Sequence, residues 1–164
     1  MKIRDLMTKQ VASVRTTDST AVAARLMWDC DCGAVPVLDD EGRAIAMITD
    51  RDICMAALMR DRAPSAIPVS EAMSRTLQAC GPDVAVSTAE RLMRVHQIRR
   101  IPILDKERRP VGMLSLADIV RATDRKKGRA TKAKLVAPAE IAGTLAEICA
   151  TPAREPARPA SRAA

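Results

Sequence analysis

The feature that most constrains this chain is that it is written twice. Residue n aligns with residue n + 66 without a gap from Met7 to Ile53. Met7 meets Met73, Arg25-Leu26-Met27 meets Arg91-Leu92-Met93, and Pro36 meets Pro102. Leu38-Asp39 meets Leu104-Asp105, Met47 meets Met113, and Asp52-Ile53 meets Asp118-Ile119. Other positions keep their chemistry, as in Val35/Ile101, Val37/Ile103, Ile48/Leu114 and Thr49/Ser115. A hydrophobic pattern shared at a fixed period marks each copy as one supersecondary unit. A unit this short cannot bury its apolar face alone, so the two copies are expected to pack on each other.

Within each copy the pattern predicts β-α-β-β-α. A short extended piece (Val11 to Val14; Leu77 to Cys80) precedes N-cap chemistry at Thr17-Asp18-Ser19 and at Pro82-Asp83. The first helix carries Val22, Ala23, Leu26, Met27 and Cys30 as an apolar stripe. Its counterpart carries Ala89, Leu92, Met93 and His96. Strands follow at Ala34 to Leu38 and Arg100 to Leu104. Their internal prolines cannot donate to a ladder and belong at an edge or where the sheet opens. Turns at Asp39 to Gly42 and Asp105 to Arg108 make each pair of strands a hairpin, the second without a turn glycine. The second helices run from Asp50 to Arg60 and from Leu116 to Thr123. Their methionines, Met55 and Met59 included, read as core or dimer interface. The domain plan is therefore repeat 1 at 1–60, a linker at 61–69, repeat 2 at 70–123, and a basic tail at 124–164. Ile141, Leu145 and Ile148 predict a short helix at about 138–150 in an otherwise disordered tail.

Charge and composition narrow the partners. The net charge is +7, but the segment from Arg121 onward holds ten basic and four acidic residues, which leaves the rest near neutral. Trp28 is the only aromatic residue, so stacking of bases on rings is hardly available. Nucleic acid is therefore not an expected partner of the folded part. A tail-mediated, sequence-blind association is the alternative. No apolar run approaches a membrane span and the amino terminus lacks a signal-peptide core, so a cytoplasmic protein is expected. Five cysteines without scaffold spacing fit reduced thiols.

The chemistry concentrates where a strand hands over to a helix, at Gly112-Met-Leu-Ser-Leu-Ala-Asp118. At such a junction helix N–H groups and the helix dipole favour a phosphate, and the Ser115 hydroxyl adds a donor. Asp118 would repel phosphate but suits the two hydroxyls of a ribose. Arg99 and Arg100 would supply positive charge, and adenine would lie among aliphatic side chains near Val11 and Leu77. A hydroxyl residue followed three positions later by Asp is equally the pattern of a helix capping box. The first copy, with Thr49 and Asp52, has Ala46 in place of Gly112. A methyl there would narrow the backbone approach, which ranks the Asp118 site first.

Tandem β-α-β-β-α units, each ending in this hydroxyl–carboxylate motif, resemble a pair of cystathionine-β-synthase (CBS) domains, a Bateman module. The resemblance rests on Met7-Thr8 and Met73-Ser74, Val35-Pro36-Val37 and Ile101-Pro102-Ile103, Thr49 to Asp52 and Ser115 to Asp118, over about residues 1–123. Trp28 to Val37 and His96 to Pro102 look like the standalone bacterial stress- or dormancy-associated group. The resemblance implies pseudo-twofold symmetry, two clefts that take adenine nucleotides such as AMP, ADP, ATP or S-adenosylmethionine, and homodimers forming a disc of four repeats. The candidate binding set is Ser115, Asp118, Gly112, Leu77, Pro102, Arg100, Arg99, Thr49, Asp52, Val11 and Pro36. The nucleotide is a regulatory ligand, read out by a protein partner not named by the sequence. The alternative is a ligand-free dimerisation module.

Cys30 and His96 occupy equivalent positions, and with Cys32 they are the metal-ligand candidates. A site needs three or four ligands, and helix packing accounts for both residues without a metal. No triad or oxyanion arrangement is visible, and a non-enzyme without cofactor is expected.

Overall fold

The structure is a computed structural model and describes residues 1–124 and 138–150. The first repeat consists of β1 (Val14–Arg15), α1 (Thr20–Asp29), β2 (Ala34–Leu38), β3 (Ala44–Thr49) and α2 (Asp50–Arg60). In the second repeat Cys80 makes a single bridge in place of β1. It is followed by α3 (Val86–His96), β4 (Arg100–Leu104), β5 (Pro110–Ser115) and α4 (Leu116–Asp124). In both copies the middle strand pairs antiparallel with its hairpin partner and parallel with the first extended piece. Pro36 opposes Met47 and Pro102 opposes Met113, so the registers agree copy for copy. The fold is mixed α/β.

The prolines explain why the first strands are shorter than their apolar pattern. The Cys80 N–H donates to the Pro102 carbonyl at 3.2 Å and the Leu104 N–H to the Cys80 carbonyl at 2.9 Å. The next rung back would need a donor on Pro102 nitrogen, which has none. The ladder therefore begins at Cys80 rather than at Leu77. In the hairpins Gly42 has φ +79°, and Arg108, its counterpart, takes φ +65° without being glycine. An aspartate organises each turn: Asp39 Oδ1 accepts from the N–H of Glu41 and of Arg43, and Asp105 Oδ1 from the N–H of Arg109 at 2.7 Å.

Each unit is completed by residues that precede the other. Ile3 is fully buried in the second core, beside Val86, Met93 and Ile101. Its counterpart Val69 is fully buried in the first, beside Val14, Met27 and Val37. The backbone follows. Ile3 N–H donates to Val84 O at 3.0 Å and Val86 N–H to Met1 O at 3.2 Å. Val69 N–H donates to Asp18 O and Thr20 N–H to Ile67 O, both at 2.8 Å. Thr8 and Met113 exchange two backbone bonds at 2.9 Å, and Ser74 meets Met47 in the same way, partly through its hydroxyl.

This exchange changes one expected cap. Ser19 caps α1 by accepting from Val22 N–H at 3.4 Å, but α3 starts after Ala85 with no side-chain cap. The Met1 carbonyl takes the donor of Val86 instead, and Asp83 pairs with Lys2 at 3.1 Å and with Arg4. The helix stripes are narrower than their sequence suggests. Ala23, Met27, Ala89 and Met93 are buried, whereas Val22, Cys30 and His96 are exposed. Met55 and Met59 are exposed as well, so they are not core.

The short carboxy-terminal helix is present as α5 (Pro138–Cys149). It lies on α3 and α4, with Ile141 and Ile148 buried in the second core. The basic segments at 125–137 and 151–164 lie outside the described residues. Among the described residues no helix is long and apolar enough to cross a membrane.

Burial of Ile3 makes the first residues structural. Ile3→Ala should lower stability by about 2–4 kcal/mol in urea unfolding. A loss of less than about 0.5 kcal/mol, the range of plain surface substitutions, would show that the segment merely rests on the surface.

Candidate functional site

Because α4 begins directly where β5 ends, Ser115 is both the last strand residue and the helix cap. Its hydroxyl donates to Asp118 Oδ2 at 2.6 Å, its N–H donates to the same oxygen at 2.8 Å, and Asp118 N–H donates to Ser115 Oγ at 3.2 Å. This is a complete capping box. Thr49 and Asp52 form the same box at 2.7, 3.0 and 3.1 Å. Arg121, one turn further on, holds Asp118 Oδ1. Leu116 N–H donates to Arg99 O at 2.9 Å. The expectation of outward-pointing N–H groups here is thus corrected for Leu116 and Asp118, whose donors are engaged within the chain. Those two donors are therefore closed to an anion, while Ala117, between them, lines the cleft.

The junction forms one wall of a cleft of about 1020 Å³. Ser115, Asp118, Arg99, Arg100 and Arg121 come from the second repeat; Val11, Ala12, Ala34 and Val35 come from the first. Cys30, Asp31 and Cys32 line it after α1, and Leu145 of α5 reaches its edge. The three arginines face two carboxylates, Asp31 and Asp118. Subtracting the period turns Arg99, Arg100 and Arg121 into Gly33, Ala34 and Met55. None of the three has a basic counterpart in the first repeat.

Of the candidate set, the cleft brings together Ser115, Asp118, Arg99, Arg100 and Val11. Leu77 lies elsewhere, in a hollow of about 390 Å³ with Cys80, Leu92 and Arg108. Thr49, Asp52, Pro36, Pro102 and Gly112 line neither of these hollows nor a third beside α1. The prolines are buried in middle strands. Gly112 has a packing reason: a Cβ there would sit 2.5 Å from Met7 Sδ and 3.1 Å from Thr8 O. Its missing side chain admits the amino-terminal segment rather than a ligand. Arg121 was signalled by its i, i+3 spacing from Asp118. Leu145 had no local signal, because only the docking of α5 brings it here.

The metal candidates separate. Cys30 and Cys32 line the cleft and His96 does not. Among the described residues no three His, Cys, Asp or Glu side chains gather as a ligand set. Burial pushes the Cys32 thiol up, only partly offset by a backbone hydrogen bond at Ala34, so at neutral pH it is a protonated, weak nucleophile.

Comparison with known proteins decides the family. The CBS-domain family model matches residues 3–59 and 69–125. The chain is a CBS-domain protein. It is similar to the CBS domain-containing protein YhcV of Bacillus subtilis, with 39% identity over 117 residues, 71% of this chain and 81% of that one. Among solved structures, the CBS domain pair of protein MJ0100 in complex with 5′-methylthioadenosine and S-adenosyl-L-methionine matches with TM-score 0.69 and 25% identity. That match covers 77% of this chain and 98% of the other. Hypoxic Response Protein I, solved with two coordinated zinc ions, matches with TM-score 0.67 and 30% identity over 74% of this chain and 98% of that one. The fold described above is that of a CBS pair.

Two substitutions probe this geometry. Gly112→Ala should cost about 1–3 kcal/mol in thermal unfolding through overpacking against Met7 and Thr8, although residue 112 lines no part of the cleft. The thiol of Cys32 should alkylate slowly at neutral pH and gain rate as pH rises above the ordinary thiol range. Rapid modification near pH 7, read by peptide mass spectrometry, would contradict the environment described.

Proposed function

We propose that this CBS pair is a non-catalytic cytoplasmic sensor, working as a homodimer. It holds an adenine nucleotide in the Ser115–Asp118 cleft, and a protein partner reads the resulting change in the setting of the two repeats. The observation that carries the reading is a cleft walled by both repeats in which a carboxylate, a hydroxyl and three arginines converge. Asp118 accepts from the ribose hydroxyls, as a carboxylate suits a cis-diol. Arg99, Arg100 and Arg121 meet the phosphate, where guanidinium forks match anionic oxygens. Arg121 exchanges its bond to Asp118 for one to phosphate, which frees that carboxylate oxygen. Val11, Ala34 and Val35 offer the adenine an apolar slot.

The MJ0100 complex supports an adenosyl ligand. The arginines favour a phosphorylated one over a sulfonium cation. The first repeat carries Gly33, Ala34 and Met55 at the equivalent places, and Asp50 at its helix start, so one nucleotide per chain is the expected stoichiometry. The competing reading, a scaffold with an empty cleft, draws on the two satisfied capping boxes. It accounts for Ser115 and Asp118 but not for arginines found at one box only.

Calorimetry with AMP, ADP, ATP, S-adenosylmethionine and NADH tests the proposal. A phosphorylated adenine nucleotide should bind once per chain. Asp118→Asn, which keeps an acceptor for the helix cap, should weaken it by about tenfold or more, the worth of one charged hydrogen bond. Arg99→Ala with Arg100→Ala should cost ATP more than AMP, Asp52→Asn should change nothing, and the bound nucleotide should shield Cys30 from alkylation. Absence of heat with every compound in the panel would sink the reading.

A further inference from the structure

The helix α5 belongs to neither copy of the 66-residue plan: its equivalents, residues 72–84, form no α-helix. It nonetheless supplies part of the Ser115 cleft through Leu145. Among the described residues, two large apolar side chains in that lining are left exposed, Leu145 at 40% and Val120 of α4 at 39%. The helix is seated by one narrow side. Ile141, Thr144 and Ile148 are buried, Gln97 Nε2 donates to Ala150 O at 2.8 Å, and Arg94 faces Glu147 at 3.7 Å in a partly exposed pair. A helix of 12 residues is marginal in isolation. Gly143 lowers helix propensity near its middle, and a Cβ there would meet nothing within 4 Å. Packing does not require that glycine, so α5 is a weaker helix than its seat allows.

We propose that α5 is a ligand-operated gate on the Ser115 cleft, with Leu145 as its contact to the nucleoside. This rests on the nucleotide reading above and adds which element outside the repeats touches the ligand. The arginines answer to phosphate, and the first repeat offers Val11, Ala34 and Val35 to the base. Val120 and Leu145 complete the lining, so a bound nucleoside covers apolar surface that is otherwise wet. Leu145 stands four residues after Ile141 and three before Ile148, so burial of those two isoleucines in the second core sets where it points. A helix this short is ordered by its seat, so leaving the seat and losing the helix are one event. The ligand gains the Leu145 contact in the seated state alone and therefore shifts α5 toward it. By linkage, seating α5 raises ligand affinity by the same factor. Gly143 keeps this equilibrium within reach of a contact worth only a few-fold in binding.

Hydrogen–deuterium exchange of the full chain, followed in peptides covering residues 141–150 with and without saturating ATP, tests this beside calorimetry. Covering the exposed part of Leu145 is worth about three- to eightfold in binding, and ATP should slow exchange in α5 by about that factor. Leu145→Ala, which places a better helix former on α5, should lose a similar factor in ATP affinity and show no ATP-dependent slowing there. Gly143→Ala should slow exchange of α5 in the ligand-free chain by up to about fivefold. A wild-type chain that binds ATP while exchange in α5 stays unchanged overturns the gate and leaves the nucleotide reading standing. A Leu145→Ala chain with wild-type ATP affinity and the same slowing does so too. A wild-type chain that binds no ATP, with exchange unchanged throughout, overturns both.

Discussion

The rest of this structure depends on the exchange of leading segments between the repeats. A helix start leaves backbone donors without intrahelical partners. Here the first donors of α1 and α3 are taken by Ile67 and Met1, each from the segment that leads into the other repeat. The same segments insert Ile3 and Val69 into the opposite cores. Either repeat alone would lose a fully buried aliphatic side chain and uncover the donor of Thr20 or Val86. The cleft inherits its two-sided walls from this arrangement. Thr8, at the end of one exchanged segment, lies in the cleft lining and is bonded on both its N–H and its carbonyl to Met113 of the other repeat.

Much of the fold was legible because the period supplies two readings of each element. The hairpin strands Ala34–Leu38 and Arg100–Leu104 were clear from apolar residues around an invariant-position proline, and α5 from Ile141, Leu145 and Ile148. What stayed hidden depends on contacts between distant parts of the chain. The cap of α3 comes from Met1, which no local motif announces. Gly112 looked like a ligand-approach glycine, but the atom it admits belongs to Met7. Cys30 and His96 continue an apolar spacing and yet are exposed, because each helix ends its burial one turn earlier at Met27 or Met93. In the site, Ser115, Asp118, Arg99 and Arg100 could be read from residue chemistry at a strand–helix junction. Their meeting with Val11 required the packing of one repeat on the other.

The two repeats also show how one backbone carries different chemistry. The capping boxes at Thr49 and Ser115 are superimposable in their bonding, so they explain why both helices begin where they do. They do not distinguish the two ends. The distinction lies in what surrounds them: three arginines at one end, and glycine, alanine and methionine at the other. Met55 replaces the arginine that holds Asp118 and instead joins the exposed stripe of α2. A single position thus serves the cleft in one copy and the helical surface in the other.

Exchange of the leading segments also sets an order of events during synthesis. The first core cannot close when α2 leaves the ribosome, since Val69 and its neighbours are not yet made. Met1 to Thr8, made before the first repeat, wait for residues 82–86 and then for Met113 before their backbone is paired across to the second repeat. Until then Ile3 is an apolar side chain without a home on a nascent chain, the condition in which partly made domains are prone to misassembly. The contacts that complete the fold are among the longest in sequence separation, and such contacts slow folding. Repeats that look independent on paper are committed to folding together, and late.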